Sequence, residues 1–120
     1  MHNPVDPRRG PAHPPAMQRD GNLFDDDAPP ATGERFEILC RAAGVRIERI
    51  VSSAVPVPGT YVQDWDEWVV LLRGEATLVI AGEETALVAG DHLFLPARVP
   101  HRVERTTAGA LWLAVHLEGE

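Results

Sequence analysis

The stretch Trp68-Val69-Val70-Leu71-Leu72-Arg73-Gly74-Glu75-Ala76-Thr77-Leu78-Val79-Ile80-Ala81-Gly82 decides the fold. Two apolar runs of strand length are parted by single glycines, and neither shows the three-to-four-residue spacing of an amphipathic helix. The pattern continues downstream through Thr85–Val88, His92–Leu95, His101–Thr106 and Leu111–Leu117, interrupted at Gly90-Asp91, Pro96 and Gly109. Upstream, Phe36–Cys40 and Val45–Val51 read as two strands joined near Ala43-Gly44; the second alternates as a strand with one wet face should. Val55-Pro56-Val57-Pro58-Gly59 reads as a loop, because proline cannot donate to a central ladder. Short strands at this spacing predict an antiparallel barrel or sandwich. Val69–Leu72 and Leu111–Val115 are apolar on both faces, which suits a closed or two-layered sheet better than an open one.

Composition narrows the chemistry. The chain has 120 residues and a formal charge of −7, from 18 acidic and 11 basic residues. An acidic chain lacks the basic face that phosphate neutralisation needs, so no nucleic-acid partner is expected. All 11 basic residues are arginine; the absence of lysine excludes Schiff-base chemistry and lysine general bases. The single cysteine, Cys40, excludes an internal disulfide and a cysteine-rich zinc site, and its neighbours Ile38, Leu39 and Ala42 predict a buried, inert thiol. No run is long and apolar enough for a membrane span, so a soluble cytoplasmic protein without a membrane partner is expected.

Seven of the 11 prolines lie in the first 30 residues, and residues 1–31 read as a flexible, disordered N-terminal tail. Leu23-Phe24 is an apolar island within it, suited to docking on the barrel or on a neighbouring subunit; His2 and His13 have no evident task. Residues 32–120 form the barrel domain, one core with little left for a second lobe.

From Gly59 to His101 the chain resembles the cupin superfamily. The first cupin motif is G-x5-H-x-H-x3,4-E-x6-G: Pro58-Gly59 opens the segment, Glu67 stands at the glutamate, and Gly74 follows after six residues. The second is G-x5-P-x-G-x2-H-x3-N, on which Gly90, Pro96 and His101 fall in register. The likeness covers roughly residues 55–115 and implies an all-β fold, the antiparallel double-stranded β-helix or jelly-roll barrel, commonly paired as a homodimer. It also implies one metal ion held by three histidines and the glutamate. Here Tyr61 and Gln63 occupy two histidine positions, Arg98 replaces the second motif's glycine, and Arg105 its asparagine. The resemblance is to small bacterial cupins with a degenerate first motif, and it confers no settled activity.

Strand parity sorts the candidates. Glu67 shares a face with Val69 and Leu71, and His101 with Val103, so both are expected inside the barrel mouth; the bland alternative for Glu67 is a salt bridge to Arg73. A carboxylate on an inward apolar row needs a partner or an ion. Gln63 offers an amide oxygen to a hard cation, and with Glu67 and His101 forms a reduced ligand set for one divalent metal, Mn, Fe, Ni or Zn. Tyr61 and Arg98 join these three in a ligand-binding site. Asp64 or Asp66 completes the set if the loop breaks alternation; His92 and His116 are read as structural unless the fold turns them inward. Trp65, Trp68 and Trp112 are core or interface mass.

Three functional readings follow. A divalent ion would support isomerase, hydrolase or dioxygenase chemistry. Without one, the barrel is a binding module for a small polar metabolite, or an acid–base enzyme of isomerase type in which Glu67 and His101 move a proton in a sugar-like or keto substrate. The apolar outer faces of the Trp68 and Trp112 strands suggest a homodimer.

Overall fold

The computed structural model describes residues 17–119. Among the described residues eight strands follow one another without a helix: β1 (Glu34–Ala42), β2 (Val45–Ser52), β3 (Asp66–Arg73), β4 (Glu75–Ile80), β5 (Glu83–Val88), β6 (His92–Leu95), β7 (His101–Thr106) and β8 (Ala110–Leu117). They form two antiparallel sheets, one of five strands in the order β1-β2-β8-β3-β6 and one of three in the order β5-β4-β7. The expected two-layered barrel is therefore present, with strand boundaries close to those that turn residues mark. Among the described residues no helix is long and apolar enough to cross a membrane.

The two faces of each strand explain the layering. On β3, Glu67, Val69 and Leu71 are buried while Trp68, Val70 and Leu72 are half-buried on the far side. On β8 the inward row is Ala110, Trp112, Ala114 and His116. Between the sheets these side chains meet Ala76 and Leu78 of β4, Leu87 of β5 and Leu95 of β6 in one core. Leu71 and Leu111 are fully buried. Truncating such a residue to alanine typically costs about 3–5 kcal/mol. The β1–β2 turn places Ala43 and Gly44 at φ 51° and 75°, the paired positive φ of a type I′ hairpin, whose twist matches that of its strands. A Cβ on Gly44 would sit 2.6 Å from the Gly119 carbonyl carbon, so glycine is required there twice over.

Two expectations need correction. The face of β2 that carries Arg46 and Glu48 is not the wet one: Glu48 is buried and turns inward with Ile50, while Arg49 is buried on the opposite, outer side. Alternation locates two faces without saying which is inside. Cys40 is exposed, because β1 is an edge strand whose Phe36, Ile38 and Leu39 are also about half exposed. Trp112, read as core or interface mass, is core: it is buried, and its indole N–H donates to Ser52 Oγ at 3.0 Å.

Part of the proline-rich leader packs on the barrel. Arg49, on the outer side of β2, donates to the carbonyl oxygens of Leu23 (3.0 Å) and Asp25 (2.5 Å) and to the Glu37 carboxylate. Arg73 pairs with Asp27 at 2.7 Å and lies over the Phe24 ring at 5.9 Å. Its guanidinium, hydrogen-bonded to Asp27, holds that carboxyl below its usual range. The Leu23-Phe24 island thus docks as a strap across the five-stranded sheet. The rest of the expected tail, residues 1–16 with His2 and His13, lies outside the described residues.

Candidate functional site

The space between the sheets is not fully filled. A cavity of ≈ 130 Å³ opens at one end of the barrel. Apolar side chains of the core form its floor. Its polar wall is built from Glu34 of β1, Glu48 of β2, Tyr61 and Gln63 of the preceding loop, Glu67 of β3, His101 of β7 and His116 of β8.

The ladders explain this convergence. Glu67 lies opposite His116 in the β3–β8 pairing, and Glu34 lies opposite Ser52 in the β1–β2 pairing. Tyr61 is anchored by a two-way backbone bridge with His101, at 2.7 and 3.0 Å, and their rings lie 5.9 Å apart. That bridge ties the loop before β3 to the start of β7 and sets the rim of the cavity.

His116 organises one side. Trp65 donates its indole N–H to His116 Nδ1 at 2.9 Å, so that nitrogen is an acceptor and the ring proton sits on Nε2. Nε2 in turn donates to Glu48 Oε1 at 3.0 Å. The other oxygen of Glu48 pairs with Arg46 at 3.1 Å, and Arg46 also reaches Glu118. Glu48 is thereby satisfied on both oxygens.

Glu67 and Glu34 are not. Glu67 accepts from Gln63 Nε2 at 2.9 Å through Oε1; His116 Nδ1, 3.8 Å from the same atom, is already committed to Trp65. Glu34 accepts from Ser52 Oγ at 2.7 Å, the end of a donor chain that begins at the Trp112 indole. Burial raises the proton affinity of Glu34 above its ordinary value; the Ser52 hydrogen bond opposes that, and the charges of Glu67 and Glu48 add to it.

Of the residues expected in the site, Tyr61, Gln63, Glu67 and His101 line the cavity together. Arg98 does not. Its side chain is 73% exposed and pairs with Asp64, while its backbone adopts φ 69° and donates to the Gln63 carbonyl at 2.7 Å. The position needs the left-handed turn that a glycine gives easily, and that turn aims the side chain away from the barrel. Asp64 is spent on Arg98, and Asp66 caps the Ala97 N–H at 2.8 Å. Arg73 pairs with Asp27, so Glu67 has no arginine partner on its strand. His92 stacks on Trp68 outside the barrel, ring centroids 5.6 Å apart. Sequence reasoning missed Glu34 and Glu48, and gave His116 only a structural part. Parity with Trp112 and Ala114 was the available signal for His116; none existed for the glutamates, whose burial follows from non-local pairing.

The metal that the fold implies meets a poor fit here. Among the described residues no three His, Cys, Asp or Glu side chains come together as a ligand set. Gln63 presents its amide nitrogen, not its oxygen, to Glu67. The His101 ring places Nδ1 3.2 Å from the Val99 carbonyl, leaving one nitrogen for the cavity. The residues present do not reproduce a three-histidine-plus-glutamate shell.

A double-stranded β-helix with its polar residues gathered at one barrel mouth defines the class of protein. The cupin domain profile matches residues 56–116, and the chain belongs to the cupin family. Among solved structures it resembles a candidate mannose-6-phosphate isomerase from Ralstonia eutropha JMP134, with 38% identity, TM-score 0.73, and coverage of 82% of this chain and 97% of that one. It also resembles the polyketide cyclase RemF from Streptomyces resistomycificus (19% identity, TM-score 0.67, 83% and 79% covered). KdgF from Halomonas sp. is similar at 15% identity, TM-score 0.66, with 73% and 82% covered. These last two establish likeness of fold alone. No curated protein matches the chain.

Proposed function

We propose that this chain is a metal-independent cupin that binds a small polar molecule inside the barrel. One observation carries the reading: Glu34 and Glu67, each held by a single hydrogen bond, line one cavity between the sheets. Buried carboxylates with free acceptor capacity are unfavourable unless something completes them. A bound molecule does so at Glu67, with Tyr61 and His101 orienting it at the rim.

The name of the Ralstonia eutropha protein suggests a sugar phosphate as the first candidate ligand. The cavity argues otherwise: three glutamates line it and no arginine does. A phosphate placed there would meet like charge, where sites for phosphate present arginine or backbone N–H groups. His116 is closed to proton transfer because both its ring nitrogens are engaged, one by Trp65 and one by Glu48, which leaves Glu67 and His101 as the cavity's only acid–base pair among the described residues.

Two copies are proposed to pair through the outer face of β6, β3 and β8. Phe94 is 53% exposed and Leu117 43%, with Trp68 beside them, an apolar strip that the strap leaves uncovered. Sedimentation analysis of wild type and Phe94→Asp tests this: a dimer that becomes a monomer supports it, and a wild-type monomer rejects it.

The test of function is a thermal-shift screen of chelator-treated, untagged protein against small polar molecules of several charge types. A ligand present at 100 times its Kd stabilises by about 2.7 kcal/mol. Stabilisation that vanishes in Glu67→Gln is expected. Stabilisation only after a divalent ion is restored would overturn the metal-independent reading.

A further inference from the structure

We infer that the molecule this cavity takes is a small organic cation, an ammonium group carrying a few carbons. The inference rests on the binding reading above and names its ligand class.

The electrostatic balance of the cavity comes first. Of its three glutamates, Glu48 is offset by Arg46 and by the His116 N–H. Among the described residues Glu34 and Glu67 have no cationic partner; their donors are a serine hydroxyl and a glutamine amide, both neutral. The Glu67 side chain is only 9% exposed, and Oε1 alone takes part in its hydrogen bond, so Oε2 reaches the cavity without a donor. The surplus of the lining is thus negative charge and acceptor capacity. A ligand that complements it brings positive charge and N–H donors. The raised proton affinity of Glu34 comes first from burial, with smaller contributions from the charges of Glu67 and Glu48, and a cation between the carboxylates would relieve that smaller repulsion.

The remaining walls say which cation. Phe36, Tyr61 and Trp112 line the same space. Aromatic faces attract an ammonium group, and the attraction grows once the group is desolvated. A divalent metal ion wants at least three carboxylate, imidazole or thiolate ligands, and among the described residues no such group comes together. An alkylammonium needs one or two carboxylate oxygens and an apolar pocket for its carbons, which Ile50, Val69 and Val103 provide. Size limits the chain: a cavity of roughly 150 Å³ accepts a molecule of benzene's size, so ≈ 130 Å³ suits a cation of only a few heavy atoms.

The experiment compares three probes of one shape on the full-length wild-type protein at pH 7.5 and fixed ionic strength. They are n-butylammonium, 1-butanol and butyrate, each titrated while the indole N–H resonances of Trp65, Trp68 and Trp112 are followed by NMR. Butylammonium is expected to bind at least tenfold more tightly than 1-butanol, butyrate not to bind, and the Trp112 resonance to move most. Glu67→Gln should weaken butylammonium binding at least tenfold and narrow the gap between it and 1-butanol. Because the probe series is read on wild type, a variant that fails to fold does not blunt the test. Equal binding of 1-butanol and butylammonium, or tighter binding of butyrate, would overturn the cation inference while leaving the binding barrel standing. If none of the three binds, and no neutral polyol does either, both readings fall.

Discussion

Replacing His116 with alanine removes the link between the two sides of the barrel mouth, and its effect can be worked from the contacts. Glu48 is buried and loses the His116 N–H at 3.0 Å, keeping only Arg46. Hydrogen bonds to charged groups contribute about 1.5–3 kcal/mol each. Trp65 loses the acceptor of its indole N–H, but Trp65 is half-buried, so water can replace that bond at little cost. The missing imidazole adds the loss of its packing against β2 and β3. Together these give a destabilisation of about 2–4 kcal/mol. For a domain near 100 residues each kcal/mol lowers Tm by about 4–8 °C, so a fall of roughly 10–25 °C is expected. Urea unfolding followed by tryptophan fluorescence reads the change, with the slope unaltered if compactness is preserved. A cycle with Glu48→Gln isolates the pair, and coupling between about 0.5 and 3 kcal/mol is expected for residues in direct contact. A His116→Ala loss below about 0.5 kcal/mol, or strict additivity with Glu48→Gln, would refute the reasoning.

Further outcomes follow from other contacts. Glu34 has a folded-state proton affinity above its ordinary value of 4.5, so between that pH and its higher folded value the native state holds the proton more firmly than the unfolded chain. Stability should therefore fall as pH rises from 4.5 through this window, and Glu34→Gln should flatten that limb in urea midpoints measured across pH. Arg49→Ala should free the strap, seen as faster cleavage by an aspartate-specific protease at Asp25–Asp27; unchanged cleavage would mean the strap is held otherwise. Gly74 sits at φ 91°, where a Cβ would lie 2.6 Å from Thr107 Oγ1 and 3.0 Å from Ala110 Cα, so Gly74→Ala should destabilise by about 1–3 kcal/mol in the same urea assay.

Much of the barrel was legible because strands punctuated by glycine and proline write their boundaries locally. Parity correctly turned Glu67 and His101 inward, since each shares a row with apolar neighbours on its own strand. The limits were equally physical. Glu48 alternates with apolar residues just as a solvent-facing glutamate would, and only the β2–β8 pairing, which brings distant segments together, reveals that its face is the inner one. Glu34 begins an edge strand and looks solvated until Ser52 is placed beside it. His116 meets Glu67 across a ladder spanning nearly fifty residues of sequence, a contact no local pattern encodes. Arg98 stood at a motif position that specifies a backbone turn, and a turn position says little about where a long side chain goes. Motif spacing therefore located part of the cavity's polar wall, while the pairing of strands decided which other charged groups line it.

The central claim is that Tyr61 and Gln63, standing where histidines would complete a metal shell, leave a barrel that binds without metal. Elemental analysis of the purified, untagged protein tests this most directly. The account predicts substoichiometric Mn, Fe, Ni and Zn, and a melting temperature unchanged by any of them. One tightly held ion per chain, lost in both His101→Ala and Glu67→Gln, would contradict it.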